Sequence, residues 1–98
     1  MAQLYGNFSA KTVTETVVEV IPGSWTALPT TALIGRQVLE VWNKGENKVY
    51  LSFDSAATLK QRIAIGSGEV RIFPIQDNLV LYGRSQGGGS RTIIVEYR

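Results

Sequence analysis

Short runs of β-branched and aromatic residues recur along this chain, and turn-forming glycine, proline or asparagine residues separate them. The runs lie at residues 11–21, 24–28, 36–42, 48–53, 63–65, 69–75, 79–82 and 92–97. Runs spaced about 8–12 residues apart are typical of sandwiches and small barrels, and no segment carries apolar residues at helical spacing over roughly ten residues. The sequence therefore predicts an all-β, single-domain antiparallel β-sandwich or jelly-roll-like barrel of about eight short strands with an extended N-terminal arm.

The arm is the segment that lacks this rhythm. Residues 1–10 place Leu4, Tyr5 and Phe8 among small and polar residues, so we divide the 98-residue chain into an N-terminal arm at residues 1–10 and a β-sandwich domain at residues 11–98. Two interpretations stay open for the arm, a frayed tail or a strap that docks on a neighbouring subunit. The two aromatic rings motivate the second interpretation, because they have apolar surface to bury.

Composition excludes several kinds of site. The chain has no cysteine and no histidine, which removes disulfides, thiolate metal sites, cysteine nucleophiles and the usual general base. We therefore expect neither a metal nor a cofactor. The ten basic and eight acidic residues are dispersed, for a net charge of +2, and a dispersed pattern favours no nucleic-acid partner. No apolar run approaches the roughly 18–20 residues of a membrane helix, so we expect no membrane partner.

No arrangement of residues indicates catalysis. The acidic residues alternate with apolar residues on strands or lie in turns, which is typical of solvated faces. Gly66, Ser67 and Gly68 look like the start of a phosphate-binding loop, but the Lys-Ser/Thr pair and the following helix are missing. A Ser–Lys dyad stays open on composition alone. We predict that the protein is not an enzyme.

Several predicted strands carry apolar residues on both faces, as at Val17-Val18, Ile72-Phe73 and Ile93-Ile94-Val95. A free two-sheet sandwich buries only one face of each strand, so the excess apolar surface argues for association. Trp25 and Trp42 allow two interpretations: they belong to the core or to a subunit interface, or they form a stacking platform for sugars or bases. The first is favoured for tryptophans on strands of a small domain.

From residue 13 to residue 97 the order of short motifs resembles a group of β-rich virion proteins of tailed bacteriophages. The resemblance is carried by Leu28-Pro29, Gly35-Arg36, Val41-Trp42-Asn43-Lys44-Gly45, Val49-Tyr50-Leu51, Ile63-Ala64-Ile65, Gly68-Glu69 and Leu81-Tyr82. It implies a non-enzymatic structural protein, with capsid decoration (cement) as the favoured role. Such a protein would bind and stabilise the shell of major capsid protein as a symmetric oligomer, with a trimer favoured, and would be located in the virion after synthesis in the host cytoplasm.

The residues expected to contact a partner are Leu4, Tyr5, Phe8, Trp25, Arg36, Trp42 and Tyr50. Three alternative functions stay open. One is a carbohydrate- or receptor-binding module of a tail or fibre, which the tryptophans and tyrosines motivate. Another is a neck or tail accessory protein, and the last is a small nucleic-acid-binding barrel, for which binding would have to weaken steeply with salt.

Overall fold

The computed structural model describes residues 12–57 and 63–98, and these residues form an all-β domain. Its eight strands are β1 (Val13–Val20), β2 (Thr26–Ala27), β3 (Val38–Asn43), β4 (Val49–Ser52), β5 (Ile63–Ile65), β6 (Val70–Phe73), β7 (Tyr82–Ser85) and β8 (Ser90–Tyr97). The described residues contain no helix that is long and apolar enough to cross a membrane.

The strands form two antiparallel sheets of four strands each. The first sheet has the order β1-β8-β3-β6 and the second has the order β2-β7-β4-β5. Strands that are neighbours in space are far apart in the chain, since β1 pairs with β8 from Val13 opposite Tyr97 to Val20 opposite Ser90. This order is that of a jelly roll, in which two Greek keys wrap around one core. The predicted all-β sandwich or jelly-roll architecture is confirmed.

Alternation along the strands places aliphatic side chains between the two sheets. In β8, Ser90, Thr92, Ile94 and Glu96 are buried, while the residues between them point outward. The buried core cluster comprises Val18, Val20, Leu28, Leu39, Val41, Val49, Leu51, Ile65, Leu81 and Ile94. Full burial of one such side chain is worth about 1.5–3 kcal/mol, so this cluster supplies the main driving force for folding.

The seventh strand begins later than the sequence predicts, at Tyr82 rather than Leu79. The backbone at Leu79 is engaged elsewhere, because its carbonyl accepts a hydrogen bond of 2.8 Å from the Arg36 side chain. The strand instead continues through Gly83, a residue that usually weakens strands. A Cβ at Gly83 would lie 2.7 Å from Leu28 Cδ1. Close packing of the core against the backbone therefore requires glycine at this position.

The turn between β3 and β4 is held by a buried asparagine, Asn43. The Gly-containing turn at residues 43–47 predicts that the two strands pair as a hairpin, but this prediction is wrong, because β3 and β4 lie in different sheets. Asn43 Nδ2 donates to the carbonyl oxygens of Asn47 (2.8 Å) and Ile65 (3.3 Å). Its Oδ1 accepts from the backbone N–H of Gly45 (3.1 Å) and from Ser90 Oγ (2.7 Å). One side chain thus ties the turn to both sheets.

Gly45 lies where this turn touches β8, and alanine is expected to destabilise the fold there. A Cβ at Gly45 would overlap Ser90 Oγ and lie 2.8 Å from Arg91 N and 2.9 Å from Ser90 Cα. Two of these atoms are backbone and cannot rotate away, so we expect Gly45→Ala to lower the free energy of unfolding by about 2 kcal/mol or more. Urea denaturation followed by circular dichroism measures this change.

Gly89→Ala is the matched control for this substitution. A Cβ at Gly89 would lie 3.2 Å from the flexible Glu19 carboxylate and 3.4 Å from the carbonyl oxygen of Val20. We expect this variant to lose less than about 1 kcal/mol, since the carboxylate is free to move aside. Equal losses for the two variants would show that the turn does not fit against β8 as described.

Candidate functional site

The most buried charged residues are Arg36 and Glu96, which form an ion pair at one end of the sandwich. Both residues are 2% exposed, and Arg36 Nη1 lies 3.0 Å from Glu96 Oε2. Arg36 precedes β3, whereas Glu96 occupies an inward position near the end of β8. The two sheet neighbours β3 and β8 therefore bring together residues that are sixty positions apart in the chain.

The remaining hydrogen bonds of this pair end on backbone and side-chain groups of the same chain. Arg36 Nε donates to the Ile75 carbonyl (3.3 Å), and Nη2 donates to the carbonyls of Gln76 (2.7 Å) and Leu79 (2.8 Å). Glu96 accepts from the Leu33 N–H (2.9 Å) and, at 3.4 Å, from Thr14 Oγ1. Arg36 was expected to contact a partner. Because Arg36 is buried and its guanidinium is hydrogen-bonded within the chain, it stabilises the fold and does not belong to a contact surface.

The other inward-facing polar side chains are also paired. Thr92 Oγ1 donates to the Val18 carbonyl (2.7 Å), and Ser85 Oγ donates to the Val20 carbonyl (3.4 Å). Across residues 12–57 and 63–98, no buried side-chain nitrogen or oxygen lacks a hydrogen-bond partner. The same residues hold no group of three or more acidic, histidine or cysteine side chains that could bind a metal ion. The described interior is thus a packed core without a polar group left to bind a ligand.

The outer face of the first sheet differs from the interior because, in the described part of the chain, several of its large apolar residues are exposed. The strand register places Val17, Ile93, Trp42 and Val70 side by side in a central row. One row away lie Glu15, Val95, Glu40 and Ile72. Val17 is 52% exposed and Ile72 is 40% exposed, although both are large apolar residues. The exposed apolar residues make this face a candidate for a functional surface in the described chain.

Trp42 lies in the centre of this face and is held between two opposite charges. Its indole N–H donates to Glu40 Oε1 at 2.7 Å, and the same oxygen accepts from Tyr97 Oη at 3.3 Å. The Lys44 ammonium lies 4.8 Å from the centre of the indole ring, within the range of a cation–π contact. A shallow depression of about 390 Å³ surrounds these side chains and extends to Val13, Glu15, Ile93, Val95 and Tyr97. Trp42 therefore belongs to a surface and not to the core.

Trp25 lies against the second sheet and has a different environment. Its indole N–H donates to the Ala57 carbonyl at 3.1 Å, and the Arg84 guanidinium lies 6.0 Å from its ring centre. A polar recess of about 460 Å³ adjoins it, lined by Gly23, Ser24, Ser55, Ala56, Ala57 and Arg84. Since the tryptophans lie against different sheets, they do not form one shared stacking platform.

Tyr50 projects to the outer side of the second sheet, where it is buried and donates to Gln86 Oε1 at 3.0 Å. It pairs in register with Arg84 and with Ala64. The expected contact residue is thus covered by the chain itself. Leu4, Tyr5 and Phe8 lie outside the described residues. Of the expected contact residues in the described ranges, Trp42 is the one placed on the uncovered apolar face.

Reasoning from the sequence missed three residues that define these sites: Glu40, Lys44 and Glu96. A strict count of every second residue would have found two of them. Glu96 shares its parity with the buried Ile94, which predicts an inward carboxylate, and Glu40 shares its parity with Trp42. No local sequence pattern predicts that Lys44 lies near the indole of Trp42, because this contact depends on the direction in which the Lys44 side chain leaves the turn.

The chain matches no known protein-family model and no curated protein. It is similar to two solved structures. One is protein NMB1881 from Neisseria meningitidis, with 14% sequence identity and a TM-score of 0.56, covering 93% of this chain and 80% of that one. The other is a cupin-2 domain containing protein from Shewanella frigidimarina NCIMB 400, with 17% identity, a TM-score of 0.52, and coverage of 93% and 76%. At these identities the likeness shows the fold alone.

These comparisons correct the function expected from the sequence. The prediction of a phage capsid decoration protein is wrong, because the similar structures include a cupin-2 domain protein and neither is described as a virion protein. The tail, fibre and neck alternatives are set aside on the same finding. The rhythm of strands and turns that carried the resemblance is common to jelly rolls in general, so it indicated the fold and not the role.

Proposed function

We propose that the protein is a non-catalytic association module, a jelly roll that assembles with further copies of itself through the outer face of the first sheet. One observation carries this proposal. Among the described residues, the central row is apolar, exposed at Val17 and Val70 and half-buried at Ile93 and Trp42, whereas the polar groups of the interior are all paired. Recognition therefore falls to a surface, and contiguous apolar surface on a soluble domain usually marks a contact with protein.

The size of the face predicts a weak association. Strands about 4.8 Å apart and same-face residues about 6.6 Å apart give four strands and four rows an area of roughly 500 Å². Two copies would remove about 1,000 Å² from water, which is less than the roughly 1,200 Å² of the smaller stable complexes. We expect a reversible, concentration-dependent oligomer rather than an obligate one.

The second sheet offers no comparable surface in the described chain. Its strands carry Tyr50 and Ser52 on the outward side, and both are buried. Ser52 Oγ also binds the backbone of Asp54, accepting from the N–H at 3.0 Å. Because these outward side chains are already hydrogen-bonded within the chain, we take the first sheet as the face available to a partner.

Ile93→Lys tests the proposed function. Ile93 points outward from the middle of the central row, between Val17 and Trp42, so an ammonium there would lose its hydration in the interface. We expect sedimentation equilibrium to show wild-type protein above monomer mass at high concentration and Ile93→Lys at monomer mass throughout. The expected weakening is about a hundredfold in the dissociation constant.

Ile34→Lys is the matched control, since Ile34 is 78% exposed in the loop before Arg36 and lies outside the face. It introduces the same charge at an exposed isoleucine and is expected to associate as the wild type does. Both variants should unfold at the wild-type temperature. A wild-type protein that stays monomeric at millimolar concentration, or equal weakening by the two substitutions, would overturn the proposal.

A further inference from the structure

The charges on the outer face of the first sheet are ordered in rows on either side of the apolar central row. On one side, Glu15 and Glu40 flank Val95. On the other side, Arg91 lies opposite Glu19, and the Lys44 N–H donates to the Arg91 carbonyl at 2.9 Å. One flanking row is therefore acidic, and the other carries two cations and one carboxylate, for a net charge of +1.

This order distinguishes two ways in which a second copy can face the first. A two-fold axis perpendicular to the strands, passing along the central row, reverses the strand direction and exchanges the two flanking rows. An axis parallel to the strands leaves every row facing its own equivalent. In the second arrangement, with the axis between β8 and β3, the acidic rows face each other and Lys44 faces Arg91, and like charges brought together in an interface are strongly unfavourable.

We infer that two copies pack with their β8 strands antiparallel, around a two-fold axis along the central row, and that Glu40 of each copy pairs with Lys44 of the other. This inference rests on the proposed function and adds the partner's orientation and the residues that select it. Each Ile93 then faces the Ile93 of the second copy. Opposite charges meet twice at β3, and the like-charged contact of Glu19 with Glu15, which also occurs twice, lies at the exposed edge strand β1.

The side chains are already held in position for this pairing. Trp42 and Tyr97 both donate to Glu40 Oε1, so Oε2 accepts from the ammonium of the second copy. Lys44 lies over the indole, 4.8 Å from its centre, which restricts the long side chain before a partner arrives. Less rotamer entropy is then lost on binding, so pre-organisation makes this charge pair more favourable than a pair of mobile surface side chains.

A charge exchange tests the orientation. Glu40→Lys and Lys44→Glu should each weaken association about tenfold or more, because each brings like charges together. The double variant, with both substitutions, should return to within about threefold of the wild type, since the pair is restored with its signs reversed. With the two-fold axis parallel to the strands, Glu40→Lys would instead strengthen association, because it places a cation in each of the two acidic rows that face each other.

Cysteine cross-linking gives a second, independent measurement. The chain has no cysteine, so Ile93→Cys and Val95→Cys each introduce a single thiol. Packed sheets lie about 10 Å apart, which suits a short bis-maleimide linker. In the inferred dimer the two copies of residue 93 are within that distance, whereas the two copies of residue 95 are separated by roughly 17 Å, from two rows of about 6.6 Å each and the gap between sheets.

We expect efficient cross-linking of Ile93→Cys and little of Val95→Cys. Equal cross-linking of the two variants, together with stronger association of Glu40→Lys, would overturn the inferred orientation. That outcome would leave the proposed function intact, because the Ile93→Lys variant would still separate the copies. A wild-type protein without any self-association would instead remove the proposed function and this inference together.

Discussion

Replacing Glu96 with alanine is expected to lower the free energy of unfolding by about 3–5 kcal/mol. The substitution leaves the Arg36 guanidinium buried without a counter-charge, and breaking a buried ion pair from one side has a cost of this size. It also removes the acceptor of the Leu33 N–H. Urea denaturation, followed by tryptophan fluorescence and by circular dichroism, measures the loss.

Glu15→Ala is the control for the lost carboxylate, since Glu15 lies exposed on β1 and takes part in no ion pair among the described residues. It should leave the unfolding transition nearly unchanged. A double-mutant cycle with Arg36→Met separates the pair from its surroundings, and we expect a coupling energy of about 2 kcal/mol or more. If Glu96→Ala unfolds at the same urea concentration as Glu15→Ala, the Arg36–Glu96 ion pair does not stabilise the fold.

Replacing Asn43 with alanine is expected to lower the free energy of unfolding by about 2–4 kcal/mol. Asn43 is fully buried, and its removal leaves the carbonyls of Asn47 and Ile65 and the hydroxyl of Ser90 without their partner. Unsatisfied buried groups cost about 1–3 kcal/mol each, reduced where water reaches them. For a domain of this size the melting temperature should fall by roughly 10–20 °C, which differential scanning calorimetry measures.

Asn78→Ala makes the same change at an exposed turn residue and should shift the melting temperature by only a few degrees. Asn43→Asp adds a sharper comparison. It keeps an acceptor for Ser90 but turns a carboxylate oxygen toward the two carbonyls that Nδ2 now binds, so it should be at least as unstable as the alanine variant. An Asn43→Asp protein that melts with the wild type would contradict the hydrogen-bond assignment.

The strands were predictable because the periodicity of β-branched residues is a local property. Five runs contain their observed strand, and the runs at residues 36–42 and 92–97 miss only one and two residues of theirs. The exception, at residues 79–82, has a tertiary cause. Arg36 holds the Leu79 carbonyl, and Gly83, which propensity counts against a strand, is needed for Leu28 to pack closely. Strand propensity describes a residue's own conformational preference and carries no information about contacts with residues that are distant in the chain.

The Arg36–Glu96 ion pair and the outer face of the first sheet were less predictable from the sequence, for related reasons. Strict alternation places Glu96 with Ile94 on the inward side, but the choice of Arg36 as its partner depends on which loop lies over that end of the sandwich. Similarly, exposed apolar positions such as Val17 and Ile72 were indicated by the pattern. Their assembly into one face depends on the order β1-β8-β3-β6, which long-range Greek-key pairing sets.

A dilution series followed by methyl NMR tests the central claim, that this jelly roll acts through the outer face of its first sheet. The methyl signals of Val17, Ile93 and Val95 should shift with protein concentration, and those of the buried Val49 and the exposed loop residue Ile34 should stay fixed. Signals that do not change on this face across the whole series, or changes confined to residues elsewhere, would contradict the account.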